Sequence, residues 1–194
     1  MSDTTSKTFW PLFAGLALLM AATRSHHFAS ITHLPDASWA VFFLAGFYLR
    51  PAWVFAGLLG LAGLSDYVAI TQFGVSDFCV SAAYGFLLPA YGALWFAGRL
   101  YAARYRFEPA NLIWLAGYAL AGATISELLS SGGFYYFSGR FAETSLAQFG
   151  GRLVTYFPHG LEGLALYLGS VVVAHVALTL ASGTAPRRSG APQA

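Results

Sequence analysis

The chain reads as an all-α polytopic membrane protein of six transmembrane helices. Three observations predict this: 57% of its 194 residues are hydrophobic, only 9% are charged, and the mean hydropathy is +0.60. Soluble globular chains carry about 25% charged residues, so the charge content alone sets this one apart. Ten basic and eight acidic residues give a net charge of +2 and are scattered along the chain, which excludes the basic patch that nucleic-acid binding requires.

A helix needs about 20 apolar residues, within roughly 17 to 25, to cross the hydrocarbon core. The first candidate, Thr8 to Thr23, follows Lys7 and is about as long as the apolar region of a signal peptide; it is read as a retained first span. The second and third, Ala37 to Leu49 and Pro51 to Gln72, are divided at Arg50-Pro51. Proline suits the first turn of a new helix and disfavours helical geometry in its predecessor. A single helix over residues 37–72 would be about 54 Å long in a membrane of about 30 Å, so two spans joined by a tight turn are predicted. Cys79 to Tyr101, Pro109 to Leu129 and Phe157 to Ala181 complete the set.

Basic residues near span ends mark the cytoplasmic side. With the amino terminus inside, Lys7, Arg50, Arg99, Arg104, Arg106, Arg187 and Arg188 lie inside and Arg24, Arg140 and Arg152 outside. Both termini are therefore expected in the cytoplasm, with loops 24–36, 66–78 and 130–156 on the outer face. The longest loop, with its glycines and Phe134, Tyr135 and Tyr136, reads either as a lid or as an interfacial aromatic belt. Residues 1–183 form the membrane domain, and the small, polar, proline-bearing stretch 184–194 is expected to be a disordered tail.

Ionisable groups within spans are costly and usually signal function or pairing. Asp66, Glu127, Glu162 and His175 are such groups. His159 and Glu162 share a helical face, which permits a metal site or a proton relay; equally, Pro158 opens a helix whose first turn favours a carboxylate. Glu127 has Ser126, Ser130 and Ser131 within reach, but no GxSxG or HExxH pattern accompanies it. His175 is either a haem ligand or a hydrogen-bonded core residue. An intramembrane metal-dependent hydrolase using His159, Glu162 and Glu127 is one functional class that these residues leave open.

The other class arises around the only cysteine. Cys79 cannot form an intramolecular disulfide, so its thiol is either packed filler or reactive. Asp66 near the end of the third span, Cys79 opening the fourth, Tyr84 further along and Arg152 from the long loop converge on one outer rim. An acid, a thiol, a phenol and a guanidinium around an aromatic mouth suit a large ligand with amide arms and a soft metal. The plain alternative is a buried small thiol, a belt tyrosine and a surface Asp66–Arg152 pair. In the first span, Ala17 and Ala21 form a small-xxx-small pair that lets another helix approach closely.

The stretches TRSHHFAS, HLPDASWAVFFLAGFY, LSDYVAI, SDFCVSAAYGFLLPAYG and GGRLVTYFPHGLEG carry a resemblance over essentially the whole chain. It resembles the BtuM proteins, cobalamin-specific substrate-binding subunits (S-components) of energy-coupling-factor transporters in Gram-negative bacteria. The resemblance implies a six-helix inner-membrane protein with a cobalamin site open to the periplasm and a cysteine that ligates cobalt. By position that ligand is Cys79, supported by Asp66, Tyr84 and Arg152. It also implies removal of the cyano group of cyanocobalamin by the thiol, and docking on a transmembrane coupling subunit through Ala17 and Ala21. The phosphate loop GxxxxGK[ST] is absent, so ATPase partners would supply any ATP-derived energy. A binding subunit for another vitamin, with Cys79 merely packed, is the alternative within this class.

Overall fold

The computed structural model describes residues 3–24, 34–78 and 80–183. Residues 1–2, 25–33, Cys79 and 184–194, which include the predicted tail, lie outside the described residues. Among those described there is no strand, and six α-helices follow in chain order: α1 (Asp3–Arg24), α2 (Ser38–Tyr48), α3 (Ala52–Phe73), α4 (Leu87–Arg104), α5 (Asn111–Phe137) and α6 (Leu146–Ala181). A short 3-10 helix, Ala82–Phe86, leads into α4. Three of these helices, α3, α5 and α6, are long and apolar enough to cross a membrane. In such helices every interior backbone group is satisfied within its own segment, which lipid demands.

The break at Arg50-Pro51 exists. α2 ends at Tyr48, Leu49 turns extended, and Pro51 precedes α3 as its N-cap rather than opening its first turn. The eleven residues of α2 span only about 16 Å, roughly half of a bilayer core. This helix instead forms the centre of the bundle: Ser38 and the run from Ala40 to Gly46 are all buried. α2 packs most extensively on α4 and also meets α1, α3, α5 and α6. Two glycines permit the α2–α4 approach, because a Cβ on Gly46 would collide with the Trp95 carbonyl and one on Gly98 with the Phe43 carbonyl. Phe42, Phe43, Leu94 and Leu58 fill the resulting core.

The second half of the chain departs from the sequence expectation. The predicted outer loop 130–156 is largely helical: α5 runs on to Phe137 and α6 already begins at Leu146. Gly132 and Gly133 do not end α5; bare of side chains, they admit Phe149 and Phe86, and a Cβ on Gly133 would strike the Phe86 ring. Ser145 caps α6 by accepting a hydrogen bond from the Gln148 amide, so Pro158 lies inside the helix rather than opening it. α6 is about 54 Å long, longer than one crossing needs. At the fourth predicted span, residues 80–86 are occupied by a turn and the 3-10 helix, and α4 starts only at Leu87.

Candidate functional site

One end of the bundle holds a cavity of about 860 Å³. The C-terminal half of α3 contributes Asp66, Ala69 and Ile70 to its wall, and the segment up to α4 contributes Val75, Ser76, Phe78, Val80, Ala83 and Tyr84. Gly74, with φ of 67°, ends α3 in the left-handed conformation open to glycine, and so turns the chain along the cavity rim. Ser130, Ser131 and Phe134 of α5 face Arg152 and Tyr156 of α6 across the same space.

Three of the four residues expected at the outer rim, Asp66, Tyr84 and Arg152, thus line one cavity. The fourth, Cys79, lies outside the described residues, but its chain neighbours Phe78 and Val80 both line the cavity. The Tyr84 hydroxyl donates to Asp66 Oδ2 at 2.6 Å. Arg152 is not the partner of Asp66. Its guanidinium lies over the rings of Phe141 at 4.8 Å, Tyr156 at 5.3 Å and Tyr135 at 5.9 Å, an arrangement in which aromatic faces attract and orient a cation.

The carboxylate of Asp66 is held by a residue the sequence reading assigned to an outer loop. Arg24, in the last turn of α1, is only 3% exposed and forms a two-pronged ion pair: Nε donates to Oδ1 and NH2 to Oδ2, each at 2.8 Å. NH1 donates to Ser38 Oγ at 2.9 Å and to the Tyr91 hydroxyl at 2.7 Å. Ser38 in turn donates to Asp36 Oδ1 at 2.7 Å, and the Tyr91 ring stacks on Phe42 with centroids 4.3 Å apart. A continuous chain of hydrogen bonds therefore joins Asp36, Ser38, Arg24, Asp66 and Tyr84, and all of these but Ser38 line the cavity, as does Tyr91. Arg24, Asp36 and Tyr91 were not anticipated; the available signal was that an acid inside a span needs a partner, and an arginine directly following an apolar run supplies one.

Of the aromatics in the predicted loop, Tyr135 is buried and Phe134 half-buried, whereas Tyr136 and Phe137 are exposed. Phe134 packs edge-on to Phe78. Tyr135, 2% exposed, donates its hydroxyl proton to Gln148 Oε1 and accepts from the Ser145 amide. These bonds tie α5 to the start of α6, leaving only residues 138–145 as a non-helical connection. A 27-residue closing loop is thus replaced by two helix ends joined by a short turn.

Of the remaining ionisable groups, Glu127 adjoins the cavity through Ser131 and Arg152, and His159, Glu162 and His175 are not part of the cavity wall. His159 Nδ1 and Glu162 Oε2 are 3.6 Å apart, but the two side chains are 63% and 70% exposed on the helix surface. Glu127 accepts a hydrogen bond from Ser131 at 2.5 Å. Among the described residues no three of His, Cys, Asp and Glu come together as a metal site, so His159, Glu162 and Glu127 do not form the trio a hydrolase would use. His175 has both ring nitrogens engaged, Nδ1 with the Tyr48 hydroxyl at 2.9 Å and Nε2 with the Tyr105 hydroxyl at 2.8 Å; it is a half-buried, hydrogen-bonded residue and offers no free nitrogen to haem iron. On α1, Ala21 is exposed while Ala17 is half-buried against the core.

Compared with protein-family models and with curated proteins, the chain matches none.

Proposed function

We propose that the chain is a cobalamin-binding membrane subunit of the S-component type, which captures cobalamin in this cavity from the periplasmic side and carries it inward. The observation that carries the reading is the convergence of Asp66, Tyr84 and Arg152 on one cavity, with Phe78 and Val80 on either side of the lone cysteine. At about 860 Å³ the cavity is near the top of the range of roughly 300–1,000 Å³ typical of small-molecule sites, which supports a large guest. Its lining is apolar and aromatic with a few polar groups, the composition that seats a macrocycle by its faces and orients it by its arms.

In this reading Cys79 is the axial ligand of cobalt. The four corrin nitrogens hold the metal equatorially, and a thiolate is a strong donor to an axial position. Exchange on cyanocobalamin is balanced without a change of oxidation state: the cobalt–sulfur bond forms, the cobalt–carbon bond breaks, and cyanide leaves with its electron pair and takes up the thiol proton as HCN. Metal coordination drives loss of that proton. Asp66 and Tyr84 orient the amide arms from one wall, and Arg152 acts from the other. Transport then requires a partner: the exposed Ala21 with Ala17 offers α1 to a transmembrane coupling subunit, and ATPases joined to that subunit supply the energy.

The test is titration of the purified chain in detergent with cyanocobalamin. The reading predicts one equivalent of red ligand retained through gel filtration, and release of up to one equivalent of HCN. A protein that stays colourless at saturating cyanocobalamin would falsify it.

A further inference from the structure

We propose that Arg24 is a positioning residue of this cavity: it neutralises Asp66 and fixes its carboxylate so that a single acceptor site faces the ligand. The inference rests on the reading that the cavity binds cobalamin, and extends it to a residue that does its work through Asp66.

Acceptor counting carries the argument. An ionised carboxylate has about four lone-pair sites. Arg24 takes one on each oxygen of Asp66 and Tyr84 takes a second on Oδ2, which leaves one site, on Oδ1, in a side chain that is 14% exposed and lines the cavity. Four of the five guanidinium N–H groups already donate to protein acceptors, among them Ala62 O, Ser38 Oγ and the Tyr91 hydroxyl, and the Arg24 side chain, although part of the cavity wall, is only 3% exposed. Arg24 therefore holds Asp66 rather than reaching for the ligand. Its fork is rigid and planar, so two parallel hydrogen bonds fix the carboxylate plane.

Energetics point the same way. A buried ion pair is a poor device for stability, because an apolar pair of equal volume usually holds helices together as well or better. The Arg24–Asp66 pair stands instead where a carboxylate meets the cavity. With its charge already matched by Arg24, Asp66 presents an acceptor that suits a neutral donor, such as an amide N–H or a hydroxyl. Over the whole cavity wall Arg24 and Arg152 balance Asp36 and Asp66, so an ammonium group would add an unmatched positive charge. The class of ligand group at this wall is therefore a carboxamide, the group that fringes a corrin ring.

A double-mutant cycle on the purified full chain, read by cyanocobalamin titration, tests the role. Asp66→Asn is expected to weaken binding about ten-fold, the scale of one hydrogen bond to a charged group. Arg24→Met is expected to weaken it by a similar factor, and the double variant to bind no more weakly than Asp66→Asn alone. The cycle is repeated with Arg24→Lys, which keeps the charge but not the fork; here too the loss should vanish in the Asp66→Asn background. The Lys series carries the test if the Met variant does not fold. Losses that multiply in the double variant, or an Arg24 effect with Asp66→Asn silent, overturn the positioning role while leaving cobalamin binding intact. A wild-type chain that retains no cyanocobalamin removes the underlying reading itself.

Discussion

At the residue scale, the cavity is built on hydrogen bonds that each have a nameable job. Tyr84 donates to Asp66 at 2.6 Å. Tyr84→Phe keeps the ring and deletes only the hydroxyl, so it should weaken cyanocobalamin binding by about 1 kcal/mol, roughly five-fold, through a less constrained Asp66. Titration of the variant checks this; unchanged affinity would show that the hydroxyl is idle. The shared placement of Asp66, Tyr84 and Arg152 on one cavity was legible because an acid, a phenol and an arginine are conspicuous in so apolar a chain. Arg24 was not, since a basic residue after a span is first taken as a marker of membrane orientation. Only the three-dimensional approach of α1 to α3 turns it inward, and the buried Ser38 and Tyr91 acceptors that complete its shell lie 14 and 67 positions away in the sequence.

At the element scale, helices were legible wherever a long apolar run ended at a proline or a glycine in the left-handed conformation. The break between α2 and α3 and the end of α3 at Gly74 are both of this kind. The continuation of α5 into the predicted loop has a physical cause: small residues that favour loops in water serve close packing in an apolar bundle. Gly132 and Gly133 are such residues, and they let α5 continue past rings of Phe149 and Phe86. The same device operates at the α2–α4 crossing. Gly98→Leu would drive a side chain into the Phe43 carbonyl, and since overpacking typically costs about 1–3 kcal/mol, a lower thermal midpoint and a broader gel-filtration profile are expected. The neighbouring Gly92, where an added Cβ would meet only the Phe55 ring in ordinary contact at 3.9 Å, should accept alanine with little change. Equal tolerance at both positions would contradict the packing account.

At the scale of the whole molecule, the cavity lies at one end of the bundle, assembled from the C-terminal ends of α1, α3 and α5, the segment before α4 and the first turns of α6. Ligand at that end should bridge most of the helices and raise global stability by mass action. At a cyanocobalamin concentration one hundred times the dissociation constant the gain is about 2.7 kcal/mol, visible as a concentration-dependent rise in the thermal midpoint. Orientation is checked with the only cysteine in the chain. A membrane-impermeant maleimide should label Cys79 from the periplasmic face and not in inverted vesicles, and cyanocobalamin should protect it. The measurement that bears most directly on the account is the visible spectrum of the purified protein loaded with cyanocobalamin, compared with its Cys79→Ala variant. Sulfur ligation predicts displaced corrin bands in the wild type and the spectrum of free cyanocobalamin in the variant; identical spectra for the two proteins would contradict it.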